Sequence, residues 1–213
     1  MSEELARYFA QFIDQPRPEP GSPPLATSQF KLGELDVTGS RLIFSDSCCA
    51  PMDGVPVLVP PGRYELLVDC ISYGGAGCIA RLIVQLPGSL PERGDLLGRF
   101  AVDAASAGVC DGDVLKGFAV SNEAAHHGWL EALGRQQADC PQLAGFFAFP
   151  DASTTLFHVR SGFGDGLYPV YVLRENGSVV GAEAVFVSPT QGFDQPEVEA
   201  VAEEEMVVLH LEY

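Results

Sequence analysis

No apolar run in the chain approaches the roughly 18 residues that a membrane-spanning helix requires, so none of its segments is expected to cross a membrane as a helix. Basic residues are scarce: 12 Lys and Arg stand against 29 Asp and Glu, a formal net charge of −17. A surface of that sign repels phosphate backbones and anionic lipid, which argues against nucleic acid and membrane as direct partners. It favours a basic protein, a cationic ligand or a divalent cation. The 6 cysteines include no C-x-x-C pair, so their spacing offers no zinc site. The opening residues Met1-Ser2-Glu3-Glu4-Leu5 are acidic and lack the apolar core of a secretory signal, so the expected location is cytoplasmic. Free buried thiols follow as the expectation, Cys70 and Cys78 at the mouth of one hairpin included. A nucleophile elbow and an EF-hand loop are missing too.

What is present is strand. With 46% hydrophobic residues in 213, the chain has the material for one large β domain with a real core. Residues 1–14 read as an N-terminal amphipathic helix, with Leu5, Tyr8, Phe9 and Phe12 at helical spacing. Residues 15–29 carry Pro16, Pro18, Pro20, Pro23 and Pro24 and read as a linker. Residues 30–213 read as a single β-rich domain. Leu35 to Val37 and Arg41 to Ser45 look like a strand pair around Thr38-Gly39-Ser40. Tyr64 to Cys70 and Ala80 to Leu86 make a second pair, each with one apolar side at period two. Gly98 to Asp103, Gly145 to Phe149, Thr154 to Arg160 and Met206 to Tyr213 add strands. The segment opened by Asp111-Gly112-Asp113 reads as partly helical. One body helix, Asn122 to Gln137, buries Ala125, Trp129, Leu130 and Leu133. Turn signals every eight to twelve residues predict a mainly β fold: an antiparallel two-layer sandwich-like domain with one body helix and the short N-terminal helix.

Asn176-Gly177 marks a two-residue hairpin turn, because both positions need positive φ. The turn predicts that Leu173 faces Val180, Tyr171 faces Ala182 and Pro169 faces Ala184. Those six, with Leu167 and Phe186, form an apolar inward side. Val170, Val172 and Arg174 fall on the mixed side with Val179, Gly181 and Glu183. Before the hairpin, Gly162, Gly164 and Gly166 alternate with Ser161, Phe163 and Asp165. A phosphate cradle would need a helix after the loop. A strand follows here, so a tight bend capped by Asp165 is the simpler reading.

Asp46, Asp103, Asp111, Asp113 and Asp165 all stand at strand ends or in adjoining loops. Gathered at one end of a sandwich, they would suit Ca or Mg, which take hard oxygen ligands. The plain alternative is that each caps a turn. His126 and His127 are adjacent on the helix, so their rings diverge and do not share one metal. His158, with Cys110 or Ser161, is a candidate base for a nucleophile. Arg160 is a candidate ion-pair partner of Asp165, and Tyr168 completes the loop candidates.

Taken in order, Ile43-Phe44-Ser45-Asp46, Pro60-Pro61-Gly62-Arg63-Tyr64, Ala80-Arg81, Val102-Asp103-Ala104, Asp111, Asp113 and Ser161-Gly-Phe-Gly-Asp-Gly-Leu-Tyr168 resemble a bacterial family described only as domain of unknown function 4241. The resemblance spans about residues 30 to 190. Two departures stand out: Asp46 is followed by Ser47 where proline is usual, and Ala105 stands where glycine is usual. The resemblance implies a shared fold and no activity. From the acidic charge and the absence of a convincing catalytic set, the expected function is a non-catalytic binding or interaction module, with neutralisation of a basic protein partner as one form of it, and with no cofactor. The alternative is a divalent-metal-assisted hydrolase using the strand-end aspartates. A purely structural, oligomer-forming domain is the third reading.

Overall fold

Period-two alternation of apolar side chains sorts the strands of this chain into two antiparallel sheets. The computed structural model describes residues 3–50, 53–139, 144–148 and 155–194. Along the chain run α1 (Glu3–Ala10), β1 (Ala26–Val37), β2 (Arg41–Asp46), β3 (Val55–Leu58), β4 (Gly62–Ser72), β5 (Gly77–Gln85), β6 (Glu92–Val102) and β7 (Ser106–Asp111). Then come α2 (Gly112–Ser121), α3 (Glu123–Asp139), β8 (Ala144–Ala148), β9 (Thr155–Arg160), β10 (Gly166–Glu175) and β11 (Ser178–Val185). One sheet has six strands in the order β1-β4-β5-β11-β10-β6, the other five in the order β3-β2-β7-β9-β8. Tyr64, Leu66 and Val68 of β4 and Leu82 and Val84 of β5 share the core between them with Phe44, Val109 and Phe157. Each such side chain contributes about 1.5–3 kcal/mol by leaving water. The fold is the expected mainly β sandwich. No helix among the described residues is long and apolar enough to cross a membrane.

Two body helices, rather than one, cover the outer face of the five-stranded sheet. Leu115 of α2 and Trp129 and Leu133 of α3 pack on Ile43, Cys110 and Leu156. The segment expected to be only partly helical forms all of α2, because Asp111 caps it by accepting the Val114 N–H. Its glycines, Gly112 and Gly117, masked it in the sequence through their low helix propensity. The N-terminal helix docks on the body. Leu5 is fully buried, and the Tyr8 ring lies 5.3 Å from Phe30 and 5.4 Å from Phe12. The linker is tied down by Gly21 N–H to Phe193 O, and β1 already begins at Ala26. The expected closing strand at 206–213 and Cys140 lie outside the described residues.

Two expectations about pairing are corrected. Leu35–Val37 and Arg41–Ser45 do not form a hairpin: β1 pairs with β4, while β2 pairs with β3 and β7 in the other sheet. Thr38 to Ser40 cross between the sheets instead. The second correction concerns the hairpin. The turn is where it was expected, with φ of 51° at Asn176 and 80° at Gly177. Glu175 faces Ser178 and Arg174 faces Val179, but then Leu173 faces Gly181, Val172 faces Ala182 and Val170 faces Ala184. Val180 is an extra residue, a β-bulge, and every later pair slips by one. On β11 the inward residues Ala182, Ala184 and Phe186 are those predicted, whereas on β10 the inward side carries Tyr168 and Val170. Tyr171 and Leu173 lie on the outer side, and Leu167 is 54% exposed.

Candidate functional site

Strand β7 divides the five candidate aspartates into two groups. At its start, Asp46 Oδ2 accepts N–H bonds from Asp103 (2.8 Å) and Ala104 (3.0 Å), and its Oδ1 accepts one from Cys48 (2.7 Å). Asp165 Oδ1 accepts the Ala105 N–H at 2.9 Å. At the far end, Asp111 Oδ2 accepts from Thr38 N (2.6 Å), Thr38 Oγ1 (3.0 Å) and Gly39 N (2.9 Å). Asp113 Oδ2 accepts the Ser40 N–H at 2.8 Å, and Arg41 stands 3.5 Å from its other oxygen. Strand β7 spans 6 residues, so roughly 17–20 Å of sheet separates the groups at about 3.3 Å per residue. These carboxylates hold turns and the crossover between sheets. Among the described residues, no three His, Cys, Asp or Glu side chains are grouped to hold a metal ion. Asp46 and Asp165 both hold the 103–105 loop that carries Asp103, and Asp111 and Asp113 both hold the crossover at 38–40.

The loop that Asp46 and Asp165 hold contains a strained residue. Ala105 has φ 51°, the left-handed region, at the position where the family resemblance leads one to expect glycine. A Cβ there costs about 1–2 kcal/mol, partly offset by the entropy that glycine loses on folding. Ala105→Gly is therefore expected to raise stability by about 1 kcal/mol. Urea unfolding reads this directly, and a lower midpoint would mean the backbone is not strained.

The glycine loop closes on itself. Ser161 Oγ and Tyr168 OH both donate to Gly164 O at 2.7 Å, and Gly164 N–H donates to Ser161 O at 2.7 Å. Gly162 (φ 48°) and Gly164 (φ 126°) supply conformations that other residues rarely adopt; Gly166 does not need to. A Cβ at Gly162 would also meet Val187 Cγ2 at 2.8 Å. The predicted pair of Arg160 with Asp165 does not form, because the Asp165 carboxylate turns to the Ala105 N–H. Arg160 lies instead on the wall of a cleft of about 260 Å³ between this loop, the N-terminal arm and the start of β5. Phe9 and Arg17 of the arm line it with Phe163, Phe193 and Asp194. Arg17 bonds Asp194 at 2.9 Å and stands 5.3 Å over the Phe193 ring, whose centroid is 5.4 Å from that of Phe163.

His158 sits on the helix-facing side of the five-stranded sheet, opposite Gly108. It is buried, and burial pushes its pKa down to about 4. Among the described residues its Nε2 has no hydrogen-bond partner, and neither has the Oγ of buried Ser45, which lies in the same cross-strand row on the far side of Gly108. Cys110 is fully buried, and burial raises its thiol pKa, with Asp111 adding to the effect. A thiol held protonated and an imidazole held neutral do not make a thiolate–imidazolium pair. Cys70 and Cys78 are free buried thiols, the latter pushed up to about 12 by burial. His127 is exposed, 3.9 Å from Glu123.

Sequence reasoning missed the most heavily charged buried arrangement, an ionic row across the outer face of the six-stranded sheet. Asp69 accepts from Gln29 Nε2 (2.9 Å) and from Arg81 Nε (2.8 Å) and Nη2. Arg81 Nη1 donates to Glu183 Oε2 at 2.8 Å, and Arg93 Nε donates to Glu183 Oε1. Arg93 in turn stands 4.6 Å over the Tyr171 ring. Six residues, one from each strand, are thus linked edge to edge. Asp69 and Glu183 are 4% and 1% exposed. The signal was the alternation of Asp69, Arg81 and Glu183 with core residues, but the sheet order that joins them is not local.

No curated protein and no solved structure shows significant similarity to the chain. The stations at Ile43–Asp46, Pro60–Tyr64 and Ala80–Arg81 fall outside the stretch that a family model covers. Arg93, Ala105, the second group of aspartates and the glycine loop fall inside it. Residues 89–182, a little under half of the chain, match the model of the family described as "Protein of unknown function (DUF4241)".

Proposed function

We propose that the chain is a non-catalytic binding module whose acidic surface meets and neutralises a basic protein. The observation that carries this reading is the end of the sandwich beside residues 103–105. Asp53, Asp103 and Asp165 are exposed there around buried Asp46, and no Lys or Arg forms an ion pair with any of them among the described residues. The Cys49 thiol is raised by burial first and then by the fields of Asp46, Cys48, Asp53 and Asp103. Elsewhere the carboxylates of Asp36, Glu65 and Glu183 already have cationic partners. Unpartnered charge of one sign steers a partner of the other. Metal-assisted hydrolysis draws no support from aspartates that accept backbone N–H bonds.

The reading is tested with hen lysozyme as a basic protein probe, by calorimetric titration at increasing ionic strength. Binding is expected to weaken steadily with salt. Asp53→Asn with Asp103→Asn should weaken it several-fold, since each exposed ion pair is worth about 0.2–1 kcal/mol. Glu123→Gln with Glu131→Gln removes the same charge from α3 and should change little. Affinity indifferent to salt, or equal losses in the two double variants, would sink the reading.

A further inference from the structure

The N-terminal arm and the glycine loop build one cleft between them. We infer that this cleft is a binding site for a small organic monocarboxylate with an apolar or aromatic body. Its walls carry Arg17, Arg160 and Asp194. Arg17 and Asp194 are paired at 2.9 Å and cancel, which leaves the cleft with the single positive charge of Arg160. Arg160 is exposed and reaches no carboxylate among the described residues, unlike Arg17, Arg63, Arg81, Arg93 and Arg174. In a chain of net charge −17, an arginine left without a carboxylate stands out. Its planar fork matches a carboxylate in bidentate geometry.

The rest of the lining suits the body of such a molecule. Phe9, Phe163 and Phe193 supply apolar walls, and Tyr73 backs Phe163 and Phe193 at 5.9 and 5.5 Å. The cleft, about 260 Å³, is below the usual range of roughly 300–1,000 Å³ for drug-sized ligands, which fits a one-ring or short-chain acid and not a nucleotide. Because Phe9 and Arg17 come from the arm, the arm forms part of the site.

The test is calorimetry on the full chain at neutral pH with phenylacetate and octanoate. Phenethylamine, the same ring with the opposite charge, serves as the control. At least one acid should bind, and the amine should bind about tenfold more weakly or not at all. Arg160→Gln, at an exposed position that leaves the melting temperature unchanged, should weaken the acid about tenfold or more. Arg160→Lys should lose less, and Arg135→Gln, remote on α3, should lose nothing. No heat from either acid at about 10 mM, unchanged affinity in Arg160→Gln, or equal binding of the amine would overturn the inference.

Discussion

Arg81→Met is expected to destabilise the protein by about 3–5 kcal/mol at neutral pH. The substitution keeps an unbranched stem and removes the guanidinium that joins Asp69 to Glu183. Both carboxylates are then left in the sheet at 4% and 1% exposure with too few donors. Gln29 still reaches Asp69 and Arg93 still reaches Glu183, so neither becomes wholly bare. The loss comes from the uncompensated charge, not from the packing of the arginine stem. A variant that also carries Asp69→Asn and Glu183→Gln should therefore recover most of the loss, because both buried carboxylates lose their charge together with Arg81, and the remaining Arg93, 42% exposed, is solvated. Urea unfolding of the three proteins measures this. If Arg81→Met costs under about 1 kcal/mol, the row is a hydrated surface network of the ordinary weak kind. If the triple variant is worse than the single, the row stabilises the sheet through its bonds and not merely through charge balance.

That row also marks how far the sequence could be read. The apolar sides of β4 and β5 were legible because Tyr64, Leu66, Val68 and Leu82 obey strict alternation within one strand each. The turn at Asn176-Gly177 was legible because it is local chemistry. The bulge at Val180 was not, since Val179-Val180-Gly181 reads equally well in either register. One cue was present in Gly181: a Cβ there would run into the Val84 carbonyl, and a lone glycine in a strand points to such an approach. The consequence was large. Shifting β10 by one residue turned Tyr171 from the expected core to the outer side, where it backs Arg93. Asp46, Asp103, Asp111 and Asp165 lie at strand ends or in adjoining loops, whereas Asp113 lies in the first turn of α2, and which end of β7 each occupies depends on the crossover of β1 and β2 between sheets. The cleft was invisible for the same reason, because Arg17 and Asp194 meet only after the whole chain has folded between them.

His158 should make the protein sensitive to mild acid, and removing it should relieve that sensitivity. Burial lowers its pKa from 6.5 to about 4 in the folded chain. Above pH 6.5 the imidazole is neutral in both states, and the full stability is present. Between about 6.5 and 4 the unfolded chain takes a proton that the folded chain refuses, so stability falls as pH falls. Below about 4 both forms are protonated and the loss is complete, at about 3 kcal/mol for the whole interval. The local structure gives the cause: the ring is buried, and among the described residues neither its Nε2 nor Ser45 Oγ on the far side of Gly108 has a hydrogen-bond partner. His158→Gln keeps a polar side chain of similar reach but cannot titrate. Stability measured by urea unfolding from pH 7.5 down to 4.5 should therefore fall more steeply for the parent protein than for His158→Gln, by roughly 2–3 kcal/mol over the range. The acidic groups titrate in both proteins and cancel in the difference. Parallel curves would mean that water reaches the imidazole and the side chain is solvated in the folded state.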